Sequence, residues 1–131
     1  MSEVRWGDVL GWGPSHLQEL RFLGYTYLNE GRFDTARVFF EALVVVDPES
    51  SLNHRMLGAV FLMLGDSLKA LDSLDKSLKL EPQNNFAKLN RAKALFYLGK
   101  NQEGIKAAEE LKSCKEQEIA NDAQALLLAY K

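Results

Sequence analysis

Small residues recur along this chain with a fixed step. Gly31, Gly65 and Gly99 stand 34 residues apart, and so do Gly24 and Gly58, with Ala92 next. Ala36 and Ala70 keep the step, with Gly104 third. Pro48 and Pro82 keep it too, with Glu116 where a third proline would fall. Tyr27, Phe61 and Leu95 form a fifth series, and Phe40, Leu74 and Ala108 a sixth. Six series sharing one period exclude coincidence and make the repeat the first constraint on the fold.

Within one period the apolar residues follow helical spacing. Leu52, Met56, Leu57, Val60, Phe61 and Leu64 predict a helix that Gly65 ends, since glycine adopts a left-handed backbone at least cost. Asp66 or Ser67 suits the next N-cap, Leu68 to Leu80 continue the apolar face, and Pro82 stops it. The first unit repeats the plan over Leu17 to Glu30 and Phe33 to Val46. The third runs from about Asn84 to Leu98 and from Asn101 to about Ser113, departing from the pattern at Gly104, Ala108 and Glu116. Gly24, Gly58, Ala36 and Ala70 are small where a neighbouring helix must approach, and Tyr27, Phe61 and Leu95 fill the space between paired helices. A lone pair cannot cover its apolar face, so the pairs must stack and the array must end in a cap. Ile119, Ala123, Leu126, Leu127 and Tyr130 form one apolar stripe suited to that cap. The predicted organisation is an N-terminal segment (1–15), a three-repeat domain (16–116) and a C-terminal capping helix (117–131).

Composition narrows the function. A chain of 131 residues, 47% hydrophobic, supports one core. A net charge of −2 lacks the basic field of a nucleic-acid binder, so no nucleic-acid partner is expected. One cysteine, Cys114, cannot form an internal disulfide. With His16 and His54 it makes three scattered metal-ligand candidates, short of a structural zinc site, so neither metal nor cofactor is expected. Gly11-Trp12-Gly13 begins like a dinucleotide fingerprint, but His16 takes the third glycine's place. No nucleophile elbow or phosphate loop is present, and an enzyme is not expected. His16 reads as exposed or capping, His54 as a packing residue and Cys114 as a half-buried small side chain. No apolar run reaches membrane-spanning length and the N-terminus does not read as a signal peptide, which makes a cytoplasmic location the expectation.

The pattern resembles the tetratricopeptide repeat, a helix–turn–helix unit of 34 residues, over Leu17 to Glu116. The resemblance implies an all-α, right-handed superhelical solenoid whose first helices line a concave peptide-binding groove. By the same resemblance, the groove positions are the second, fifth, ninth, twelfth and thirteenth of each unit. They carry Arg21, Tyr25 and Leu28, with Gln18 and Asn29, in the first unit. The second supplies Leu52, Arg55, Leu62 and Met63, with Ala59, and the third Phe86, Leu89, Lys93, Phe96 and Tyr97. Relatives that hold chaperone C-terminal tails clamp two carboxylates. The matching residues here are Arg21, Tyr25, Met56, Phe86 and Asn90, of which only Arg21 is a fair substitute, so an acidic-tail adaptor is not expected. The groove is apolar and rimmed by Arg21, Arg55 and Lys93, which fits an extended or helical client segment. Tyr25, Leu62, Phe86 and Phe96 are its expected main anchors.

The whole-chain organisation, and the stretch from Gly31 to Asp47 with its aromatic pair and aliphatic run, resemble the small type III secretion chaperones of translocator (class II) type. That resemblance implies a cytoplasmic chaperone shielding an apolar or amphipathic segment of a secreted subunit. The alternative is a general scaffold or adaptor joining partners in a complex. Trp6, Leu10 and Trp12, in a glycine-broken N-terminal segment, are candidates for docking on the first helix or for a homodimer contact.

Overall fold

The computed structural model describes residues 9–131, which form seven helices besides the short helical stretch at Val9 and Leu10. They are α1 (Pro14–Asn29), α2 (Phe33–Val46), α3 (Ser51–Met63), α4 (Ser67–Leu80), α5 (Asn85–Tyr97), α6 (Asn101–Glu109) and α7 (Gln117–Tyr130). There is no strand among the described residues. Successive helices pack as three pairs, α1 with α2, α3 with α4 and α5 with α6. The tetratricopeptide-type solenoid expected from the repeat is the fold of this chain.

The turn inside each pair is built alike. Gly31, Gly65 and Gly99 have φ of 75°, 81° and 78°. The left-handed glycine lets the next residue's N–H reach back to the carbonyls of Tyr27, Phe61 and Leu95, at 2.9 Å each time. Side-chain caps start three of the helices: Ser50 accepts from Asn53 N–H, Asp66 from Lys69 N–H and Asn84 from Ala87 N–H. At α1 the chain turns helical at Pro14, three residues ahead of Leu17. Proline presets the first helical φ, and His16 Nδ1 accepts the Gly13 N–H at 3.3 Å.

Two clusters fill the interior. Phe40, Leu43, Leu57, Val60 and Phe61 form the first, between the first two pairs. Leu89, Phe96, Leu111, Ile119 and Leu127 form the second, beneath α7. Just as α5 packs on both α4 and α3, α7 packs on both α6 and α5 and so takes the place of a fourth unit's first helix. The second helix of the third unit is shorter than expected, ending at Glu109 rather than near Ser113. Beyond it the chain tightens into turns, Leu111 N–H to the Ala108 carbonyl and Cys114 N–H to the Leu111 carbonyl. These turns drive Leu111, 1% exposed, into the cluster beneath α7.

His54 is buried with Nε2 donating to the Pro48 carbonyl at 2.8 Å, a packing role. Cys114 is half-buried, its thiol directed at the Glu116 carbonyl. Among the described residues no helix is long and apolar enough to cross a membrane, and no group of His, Cys, Asp and Glu is placed to hold a metal ion.

Candidate functional site

The C-terminal halves of α1, α3 and α5 lie side by side because each pair stacks on the next. Between them opens a pocket of about 580 Å³, bounded by Leu28, Asn29, Ala59, Leu62, Met63, Asn90, Lys93 and Tyr97, with Gly31 and Phe33 at one end. Its walls are mostly apolar. Met63 and Tyr97 remain 58% and 56% exposed, so large apolar side chains face water at its mouth. Covering such surface with a partner lowers its free energy. Of the expected groove residues, the structure therefore gathers Leu28, Asn29, Ala59, Leu62, Met63, Lys93 and Tyr97. Asn90, expected only as the counterpart of a clamp residue, joins them, and so do Gly31 and Phe33, which follow from how helix ends meet across units rather than from position within one unit.

Other expected residues do not line this pocket. Leu52 is half-buried. Arg55 lies 4.0 Å from Glu81 and 6.0 Å from the centroid of the Phe86 ring, which is itself 54% exposed. Tyr25 sets its ring edge-on to the buried Phe40. Arg21 is half-buried and donates from Nε to Asn53 Oδ1 at 3.0 Å.

Two expected groove residues are corrected. Leu89 and Phe96 are buried in the cluster beneath α7 and present no groove surface. Leu89 and Phe96 hold the positions of Arg55 and Leu62, but in the last unit the capping helix covers what an earlier unit leaves open. Phe96 stacks on Tyr130 with centroids 4.3 Å apart and fits against Gly104, where a β-carbon would come within 2.8 Å of the ring. The signal lay in the series itself. Gly104 lacks the methyl of Ala36 and Ala70, and Phe96 is correspondingly larger than Leu28 and Leu62. Asn53 is a residue that sequence reasoning missed: it is fully buried, and its Nδ2 has no partner among the described residues.

Near the N-terminus, Leu10 is 49% exposed and Trp12 lies over His16 with rings 6.4 Å apart. Trp6 lies outside the described residues.

Comparison with known proteins places this geometry. The family described as Anaphase-promoting complex, cyclosome, subunit 3 matches residues 29–111. Anaphase-promoting complex subunit 3 of Schizosaccharomyces pombe is 31% identical over 91 residues, which are 70% of this chain and 14% of that relative's length. A crystal structure of a T3SS complex from Aeromonas hydrophila superposes with a TM-score of 0.83 at 25% identity, covering 95% of this chain and 86% of that one. PcrH, a Pseudomonas aeruginosa protein, has been solved in complex with the chaperone binding region of PopD. It superposes with a TM-score of 0.82 at 25% identity, covering 92% of this chain and 94% of that one.

Proposed function

Given that the chain belongs to the family described as Anaphase-promoting complex, cyclosome, subunit 3, whose repeats are of tetratricopeptide type, we propose that it is a protein-binding module working through its concave pocket. The client is a protein with an apolar or amphipathic segment. In the specific form of this reading, it is a secreted subunit of a type III secretion system, kept soluble in the cytoplasm until handover. In this reading residues 14–116 form the binding array, since α1 begins at Pro14 rather than at residue 16, residues 117–131 its cap, and residues 1–13 a segment available for a homodimer contact. No chemistry is required. An exposed apolar segment aggregates, and covering it lowers its free energy in proportion to the area removed from water.

One observation carries the proposal: Met63 and Tyr97, large and exposed, frame a pocket walled by Leu28 and Leu62. The similarity to PcrH, solved with a chaperone binding region, supports the client form. A second reading, an assembly scaffold, is favoured by α2. Val38 and Val45 are 58% and 54% exposed on it, at positions where the next unit carries Asp72 and Lys79. The family match supports this reading too.

A pull-down from the native cell, with wild type and Met63→Asp compared by mass spectrometry, separates the two. Recovery of one secreted apolar protein, reduced about tenfold or more by Met63→Asp, is the result expected of the groove. A complex indifferent to Met63→Asp but lost with Val38→Lys would replace that reading with the scaffold.

A further inference from the structure

The charges of this chain are not evenly distributed. Its net charge is −2, yet the three helices that frame the groove carry Arg21, Arg55, Lys88, Arg91 and Lys93 against a single acid, Glu19. Neither α3 nor α5 contains an acidic residue. The acids lie instead on the second helices, on α7, in the N-terminal segment and in the connections between helices.

Three of the five cations have neighbours that occupy them. Arg91 donates to Asp75 on α4 at 2.7 Å, Lys88 reaches Gln83, and Arg55 lies 4.0 Å from Glu81. His54, the other basic side chain of α3, is held by the Pro48 carbonyl. Arg21, Lys88 and Lys93 have no acid within 4.0 Å among the described residues, but Lys88 lies away from the pocket, on the side of Asp75 and Arg91. Lys93 lines the pocket directly. Arg21 lies on the same face of α1 as Leu28, seven residues and about 10.5 Å along the helix.

Arg21 is also held in place. Asn53 is fully buried and accepts from Arg21 Nε, while its own Nδ2 has no partner among the described residues. An unpaired buried amide is a cost to folding that an apolar side chain avoids. The corresponding residue of the next unit, Ala87, is also fully buried and carries no polar group. Stability therefore does not account for Asn53. Fixing the guanidinium by one edge does, because Nη1 and Nη2 are then left for a ligand in a set orientation.

We infer that the segment this groove takes is acidic as well as apolar, with Arg21 and Lys93 as the charges that read it and Asn53 as the residue that positions Arg21. The inference rests on the groove reading and adds the client's charge to it. It differs from a clamp for two terminal carboxylates, since the remaining clamp positions here are Tyr25, Met56, Phe86 and Asn90. The acids are instead expected beside the apolar anchors.

Two synthetic peptides with identical leucine and valine anchors, one spaced by glutamate and the other by lysine, test this in calorimetric titration of the full chain. The glutamate peptide is expected to bind about tenfold or more tightly, as charge-assisted contacts predict. That preference should shrink with added salt and collapse in Arg21→Gln/Lys93→Gln. Asn53→Ala, which gives α3 the alanine that α5 has at Ala87, is expected to lower the preference severalfold while leaving the helical circular-dichroism signal in place. Equal binding of both peptides, with both lost in Met63→Asp, overturns the charge inference and leaves the groove standing. Binding of neither peptide overturns both. A preference that survives Arg21→Gln/Lys93→Gln removes these two residues as its source.

Discussion

At Gly58 two effects of adding a methyl group oppose each other. Alanine favours a helix interior over glycine by about 1 kcal/mol. A β-carbon there would, however, come 2.7 Å from Leu74 Cγ, and Leu74 is fully buried and cannot swing away. Overpacking of that kind typically costs about 1–3 kcal/mol, so the clash wins. Gly58→Ala is expected to lower stability in urea unfolding by about 1–2 kcal/mol, and an unchanged or raised midpoint would show that α3 and α4 separate easily. Gly24 against Phe40 repeats the geometry at 2.8 Å. This part of the structure was legible in the sequence, because a close approach leaves a recurring small residue as its mark. Asn53 left none: its position is exposed Glu19 in the first unit and buried Ala87 in the third, and only the meeting of α1 with α3 pairs it with Arg21.

Among the elements, α7 depends on its tethers as well as on its apolar stripe. Glu109, at the end of α6, accepts from Lys112 at 2.6 Å and from Lys131 just beyond α7. The hydrogen bonds from Lys112 and Lys131 hold its carboxyl down to about 2, well below the ordinary carboxylate range. Glu116, at the N-cap of α7, is likewise lowered, first by its hydrogen bond from Asn85. A carboxyl lowered in the folded state adds stability that is present above its unfolded pKa and lost as pH falls through its folded pKa. For Glu109 that window runs from about 4.5 down to about 2. In thermal melts across it, wild type is expected to lose more of its midpoint than Glu109→Gln. Parallel pH profiles would show that the tether does not hold α7.

For the whole molecule, the capping helix decides what the last unit does. It converts two groove positions, Leu89 and Phe96, into core and leaves the open pocket to the first helices' C-terminal halves. Removing residues 117–131 would return those side chains, with Leu111, to water. Each is worth roughly 1.5–3 kcal/mol of burial, against a typical domain stability of about 5–15 kcal/mol. Because repeat arrays lose units from an exposed end, the truncated chain is expected to melt earlier, lose helical signal from α5 and α6 first, and bind a hydrophobic dye. Cooperative unfolding at the wild-type temperature would show that α7 contributes no core.

The sequence by itself determined the unit, its two helices, the glycine turns and the need for a cap. These follow from local spacing and from residues whose backbone or size admits few alternatives, such as Gly31, Gly65 and Gly99. It also indicated which face carries Leu28, Leu62, Met63 and Tyr97, since a helical face is set by periodicity. Only the tertiary structure decided which of those face residues stay open to a partner. Exposure depends on what the next element covers: Leu62 and Phe96 share one position in the repeat, and α7 lies over the second alone. The lengths of α1 and α6, the burial of Asn53 and the fixed guanidinium of Arg21 have the same origin, since each is settled by a contact between units that no single period contains.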